Sequence, residues 1–161
     1  MLRSVAFLLV ALIGAPAAAE LQSVGIYGQW GTFVRTKTRV CYATSEPTGG
    51  LPPAGWRAFA AIGYWPQRHI RGQLHLRLSR QKRAGSAILL RIDDRTFQLV
   101  GGGADAWATD PQADAVIVEA MRSGVEMLVE TRSPTGGLIR DSYLLKGAAT
   151  AIDAAAVACA R

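Results

Sequence analysis

The chain has 161 residues, half of them apolar, with 18 Lys and Arg against 12 Asp and Glu and a net charge of +6. That length suffices for one domain with a real core. Beyond the amino terminus no apolar run approaches 18 residues, which excludes a transmembrane helix there, and the GxSxG, HExxH and phosphate-loop signatures of common enzyme classes are absent.

Residues 1–19 read as a signal peptide. Arg3 gives a positive start, residues 5–13 an apolar stretch, and Ala17-Ala18-Ala19 a small-residue cleavage site. The mature chain is expected to begin near Glu20 and to form a single β domain over 20–161. No cysteine stands at the cleavage site, so no lipid anchor is expected. Residues 24–34 read as a first strand with Tyr27 and Trp30 as packing residues, and 35–38 as a polar turn. Residues 39–45 form a second strand carrying Cys41. Pro and Gly then punctuate 46–55, the pattern of a surface loop. Residues 56–65 read as a third strand, stopped by Pro66.

The next segment is the most basic. Arg68, His69, Arg71, His75, Arg77, Arg80, Lys82 and Arg83 fall within sixteen positions that hold no acid. Leu74, Leu76 and Leu78 alternate with His75, Arg77 and Ser79, so a half-buried strand with an outward basic face is expected. Strands at 86–92 and 96–100 follow around Asp93-Asp94-Arg95. Gly101-Gly102-Gly103 then leads to Trp107.

From Asp110 the period becomes helical. Asp110 suits the N-cap and Pro111 the first helical position, which requires no amide hydrogen. Ala113, Val116, Ile117, Ala120 and Met121 are spaced for one buried face, Arg122 suits the negative helix end, and Gly124 suits a left-handed closing residue. Two alternating runs, 125–132 and 138–145, flank a Pro/Gly turn and predict a hairpin. Alanines then favour a last helix, with Ala148, Ile152, Ala155 and Cys159 on its inner face. The class expected is mainly β: an antiparallel β-sandwich or partly open barrel of about seven or eight strands with two short α-helices, the second carboxy-terminal.

Cys41 and Cys159 are the two cysteines. In an oxidising compartment an even count predicts a disulfide; the alternative is two buried thiols. No CxxC pair and no histidine neighbours support a metal. Charge is uneven along the chain. Over 20–92, eleven Lys and Arg oppose only Glu20 and Glu46; over 93–161, ten acids oppose six bases. A dipolar surface would imply an anionic partner, whereas interleaved halves would cancel.

Several runs carry a family resemblance: Tyr27-Gly28-Gln29-Trp30, residues 39–47 (RVCYATSEP), residues 119–124 (EAMRSG), Ser133-Pro134-Thr135-Gly136 and residues 141–147 (DSYLLKG), with Trp107 and the late Cys159. Their order and spacing resemble the invasion-associated locus B family of small exported Gram-negative proteins, over most of 27–159. Leu144, Ala148-Ala149 and the segment 68–83 depart from the family pattern. The resemblance implies a periplasmic or outer-membrane-associated protein, linked in some members to host-cell entry. It implies no catalytic residue and no cofactor.

The candidate binding residues are Arg68, Arg71, Arg77, Arg80, Lys82 and Arg83. The arginine fork suits phosphate or carboxylate, so an anionic envelope or host-surface component is the expected partner, with another protein or peripheral membrane contact as variants. The plain alternative is a solvated strand face that resists edge-to-edge pairing. Trp30, Trp56, Trp65 and Trp107 could stack on sugars but read more simply as core plugs. His69 and His75 lack a third ligand for a metal. Export would separate the chain from nucleic acid, and no nucleic-acid motif accompanies the charge. The expected function is that of a non-enzymatic envelope protein. A binding or inhibitor module is the second reading, marked by a concave pocket rimmed by Trp or Arg rather than a flat basic face.

Overall fold

The computed structural model describes residues 20–49 and 52–160; the expected signal peptide at 1–19 and two residues of the expected 46–55 loop lie outside the described residues. The alternating runs form ten strands: β1 (Leu21–Tyr27), β2 (Trp30–Arg35), β3 (Val40–Ser45), β4 (Phe59–Trp65), β5 (Ile70–Arg77), β6 (Ile88–Ile92), β7 (Arg95–Gly102), β8 (Asp105–Trp107), β9 (Glu126–Arg132) and β10 (Leu138–Leu144). Helices α1 (Pro111–Ser123) and α2 (Ala148–Ala160) complete the chain. The strands make one open antiparallel sheet in the order β1-β2-β3-β4-β5-β8-β7-β6-β9-β10.

Two of these strands exceed the expected number, for local reasons. The run 24–34 is broken by a tight turn at Gly28-Gln29, where Gly28 takes φ 61°. The glycine run 101–103 turns the chain back into the three-residue β8, with Gly103 at φ 62°. The sheet curls until β10 meets the segment after β3. There the Thr48 amide donates to Ser142 O at 2.7 Å, and Gly49 bridges Ser142.

Helix α2 lies on β1–β4 through Ala148, Ala151, Ile152, Ala155 and Cys159. Small side chains let the helix approach closely. The Cys41–Cys159 disulfide joins it to β3 across 118 residues of sequence. Helix α1 packs on β5. The Asp110 carboxylate accepts from the Ala113 amide at 2.8 Å, which holds its pKa below the usual value.

The buried face of α1 differs from the expected one. Asp114, Ile117, Val118, Ala120 and Met121 are inside, while Val116 is exposed. Asp114 turns the helix inward because its carboxylate accepts from the Leu74 amide at 2.8 Å. Gly124 is also not left-handed; its φ of −81° is extended. A side chain there would meet Ile92 and the Ala120 carbonyl, at 2.8 and 2.9 Å.

Three of the runs that carry the family resemblance, 27–30, 39–47 and 141–147, meet in space. The Trp30 indole donates to Leu144 O at 2.9 Å, and the Ser45 hydroxyl donates to Gln29 O at 2.8 Å. Gly147, at φ 93°, sits against Tyr27: a Cβ on it would lie 1.9 Å from Tyr27 O. These residues hold the β1–β2 turn against the start of α2. Their role is architectural.

Candidate functional site

Side chains in a strand point alternately to the two sheet faces. On β1–β4, one face is covered by α2. Among the described residues, no helix packs on the opposite face. Register aligns Ile26, Gly31, Thr44, Ala61, His75 and Trp107 in one row across it. Ser23, Phe33, Tyr42, Gly63 and Gln73 make the next row. Small residues in the middle and rings beside them leave a groove of about 1390 Å³. Its floor is built from rings laid over glycine. A Cβ on Gly63 would fall 2.3 Å from the Trp65 indole, and one on Gly31 would fall 2.7 Å from the Phe33 ring. Phe33 and Tyr42 lie 5.8 Å apart, centroid to centroid.

The two ends of the groove differ in charge. At one end lie Arg35, Lys37 and Arg39, around the β2–β3 turn, and Arg68, in the turn after β4. Among the described residues, none of these four forms an ion pair. At the other end Arg57 pairs with Glu46 at 3.4 Å. Beside it, the His75 imidazole stacks on Trp107 at 5.1 Å and meets the Phe59 ring edge-on. His75 Nε2 lies 2.9 Å from Asp105 Oδ1, and Arg77 donates to Asp105 Oδ2 at 3.3 Å. Asp105 thus fixes the imidazole in place and neutralises Arg77. Among the described residues, the hydrogen-bond partner of the ring is this carboxylate rather than a hydroxyl or thiol. No three His, Cys, Asp or Glu side chains among the described residues gather as metal ligands.

The six basic residues singled out in the sequence do not share one face. Arg68 sits on the groove rim. A bulge at Gly72 pairs Arg71 with Tyr64, on the side facing the helices. Arg77 lies over the Trp56 ring at 4.7 Å, engaged by Asp105. Strand β5 ends there, so Arg80 leaves with the following loop and lies beside Leu138 and Arg140. Lys82 is buried, its ammonium donating to Arg83 O at 3.0 Å. Arg83 is exposed, and its amide donates to Arg132 O. His69 is exposed in the turn before β5. The leucine alternation holds, since Leu74, Leu76 and Leu78 are all buried.

Sequence reasoning missed Phe33, Tyr42, Ala61 and Gly63 as site residues. The signal was present in β4, whose sequence FAAIGYW is apolar on both alternating sets. A strand with water on one face should not read that way. Trp30 is fully buried as expected of a core plug, but Trp65 and Trp107 stand half-buried on the groove face.

No protein-family model matches the chain, and no curated protein sequence matches it. Among solved structures it is similar to the crystal structure of invasion associated protein B from Bartonella henselae, with a TM-score of 0.57 and 15% identity. The alignment covers 82% of this chain and 94% of that one. The two proteins share a fold, and at this identity the likeness extends no further.

Proposed function

We propose that the chain is a non-enzymatic binding module of a Gram-negative cell envelope, of the invasion-associated locus B type, working through the groove on the outer face of β1–β5. One observation carries the reading: an uncovered sheet face whose floor is rings over glycine and whose rim is cationic. A flat basic surface would have favoured simple adhesion. The concave, ring-lined surface favours recognition of a defined ligand. The shared fold, the disulfide and the sequence runs quoted above support export to an oxidising compartment. Among the described residues no helix is long and apolar enough to cross a membrane. Residues 46–48, from the loop after β3, line one end of the groove.

The test is a filled groove. Ala61 sits in the middle of the central row, so Ala61→Phe occupies the space a ligand needs without entering the core. Fractionated envelope extract should change the fluorescence of Trp65 and Trp107 in the wild-type protein and leave the Ala61→Phe variant silent, at an unaltered melting temperature. Equal responses from both proteins would remove the groove as the site.

A further inference from the structure

We infer that the groove takes a single acyl-chain amphiphile as a monomer, its chain along the ring-lined floor and its anionic head at the β2–β3 turn. This deepens the reading above and rests on it. The first support is the separation of charge from apolar surface. Between the ends, the floor is Phe33, Tyr42, Ala61, Gly63 and Val40, with no ionisable group other than the Tyr42 phenol. The cations Arg35, Lys37, Arg39 and Arg68, which form no ion pair among the described residues, all stand at one end. At the far end each charge near the groove is already matched, Arg57 by Glu46 and Arg77 by Asp105. An anion gains most at the first end, where guanidinium forks can hold a phosphate or carboxylate from two sides.

The second support is what the floor lacks. The backbone groups of β2, β3 and β4 are spent in their ladders, and the Thr44 hydroxyl is already donated to Ala60 O at 2.9 Å. A peptide or sugar lying there would lose water from polar groups and find few partners, at a cost an alkyl chain avoids. The third is shape and length. Six residues of β3 cross the groove from its charged to its neutral end, about 20 Å at ~3.3 Å per residue, long and narrow enough for an extended chain. A bilayer surface would call for a protruding apolar face; this one is concave.

The probes are lysophosphatidylglycerol and lysophosphatidylcholine of equal chain length, titrated below their micelle concentrations and followed by calorimetry and tryptophan fluorescence. The expected result is one lipid per protein, with the anionic head preferred. The double variant Arg35→Gln/Arg68→Gln should weaken the anionic lipid about ten-fold and leave the zwitterionic one unchanged. Equal affinity for both lipids in the wild-type protein would overturn the assignment of the head to the cationic end. Binding to phosphatidylglycerol vesicles but not to monomers would overturn it in favour of membrane docking. No lysolipid binding, alongside an extract component that Ala61→Phe still abolishes, would reject the ligand class and keep the groove. No binding sensitive to Ala61→Phe would reject both.

Discussion

Breaking the Cys41–Cys159 crosslink should remove the strongest single restraint on α2. The helix buries three alanines and Ile152 besides its cysteine. At about 0.8 kcal/mol per buried methyl and 2–3 for isoleucine, that burial contributes roughly 5 kcal/mol. Closing a loop of 118 residues in the unfolded chain is worth about 5 kcal/mol in the chain-entropy model, as much as the burial of the whole helix. A domain of this size has a net stability of only about 5–15 kcal/mol. Refolded under reductant, the wild-type protein should therefore melt about 10–20 °C lower than the oxidised form. Cys159→Ser should match the reduced protein whether or not reductant is present. Amide exchange should quicken first in α2, before β6 and β9. Paired thermal melts and exchange profiles of the reduced and oxidised proteins make the test. Coincident melts would show that the crosslink adds nothing to the packing.

Two further perturbations probe the frame that positions the groove. Asp141 is fully buried on β10, where its carboxylate accepts from the Ser79 amide at 2.8 Å, and burial raises its pKa above the ordinary 3.8. A raised folded-state pKa gives stability that is complete below the ordinary value and is lost as pH rises through the folded one. Asp141→Asn keeps an acceptor for Ser79, so its stability relative to wild type should climb between pH 4 and pH 7 in urea titrations; a difference that does not vary with pH would refute the buried-carboxylate account. Asp114 is raised by burial as well, so the variant's own stability should still fall somewhat as pH rises, as the wild type's does. Gly147→Ala combines a positive φ with a Cβ 1.9 Å from Tyr27 O. It should cost about 2–3 kcal/mol by urea denaturation, and a loss under about 0.5 kcal/mol would mean the β1–β2 turn is not held there.

Features that depend on near neighbours were legible in the residues. The Asp110 cap, the hairpin around the 133–137 turn, the inner face of α2 and the leucine alternation of β5 all rest on contacts or periods within a few positions. Errors arose where a distant group intervened. The face of α1 was misjudged because Asp114 answers an amide 40 residues earlier, which no hydrophobic period encodes. Trp65 and Trp107 looked like plugs because ring size alone does not say which sheet face a helix will cover.

The charge pattern separates the two kinds of knowledge most clearly. Composition already determined that residues 20–92 are basic and 93–161 acidic, that two cysteines were available to pair, and that alternation would build a mainly antiparallel sheet. Only the folded chain decided that Asp105 neutralises Arg77, that a bulge carries Arg71 to the other face, and that Arg35, Lys37, Arg39 and Arg68 gather at one end with no ion pair among the described residues. Alternation assigns side chains to two faces but leaves both equivalent. The path of the chain breaks that equivalence, laying α2 on one face of β1–β4 and leaving the other open as a groove.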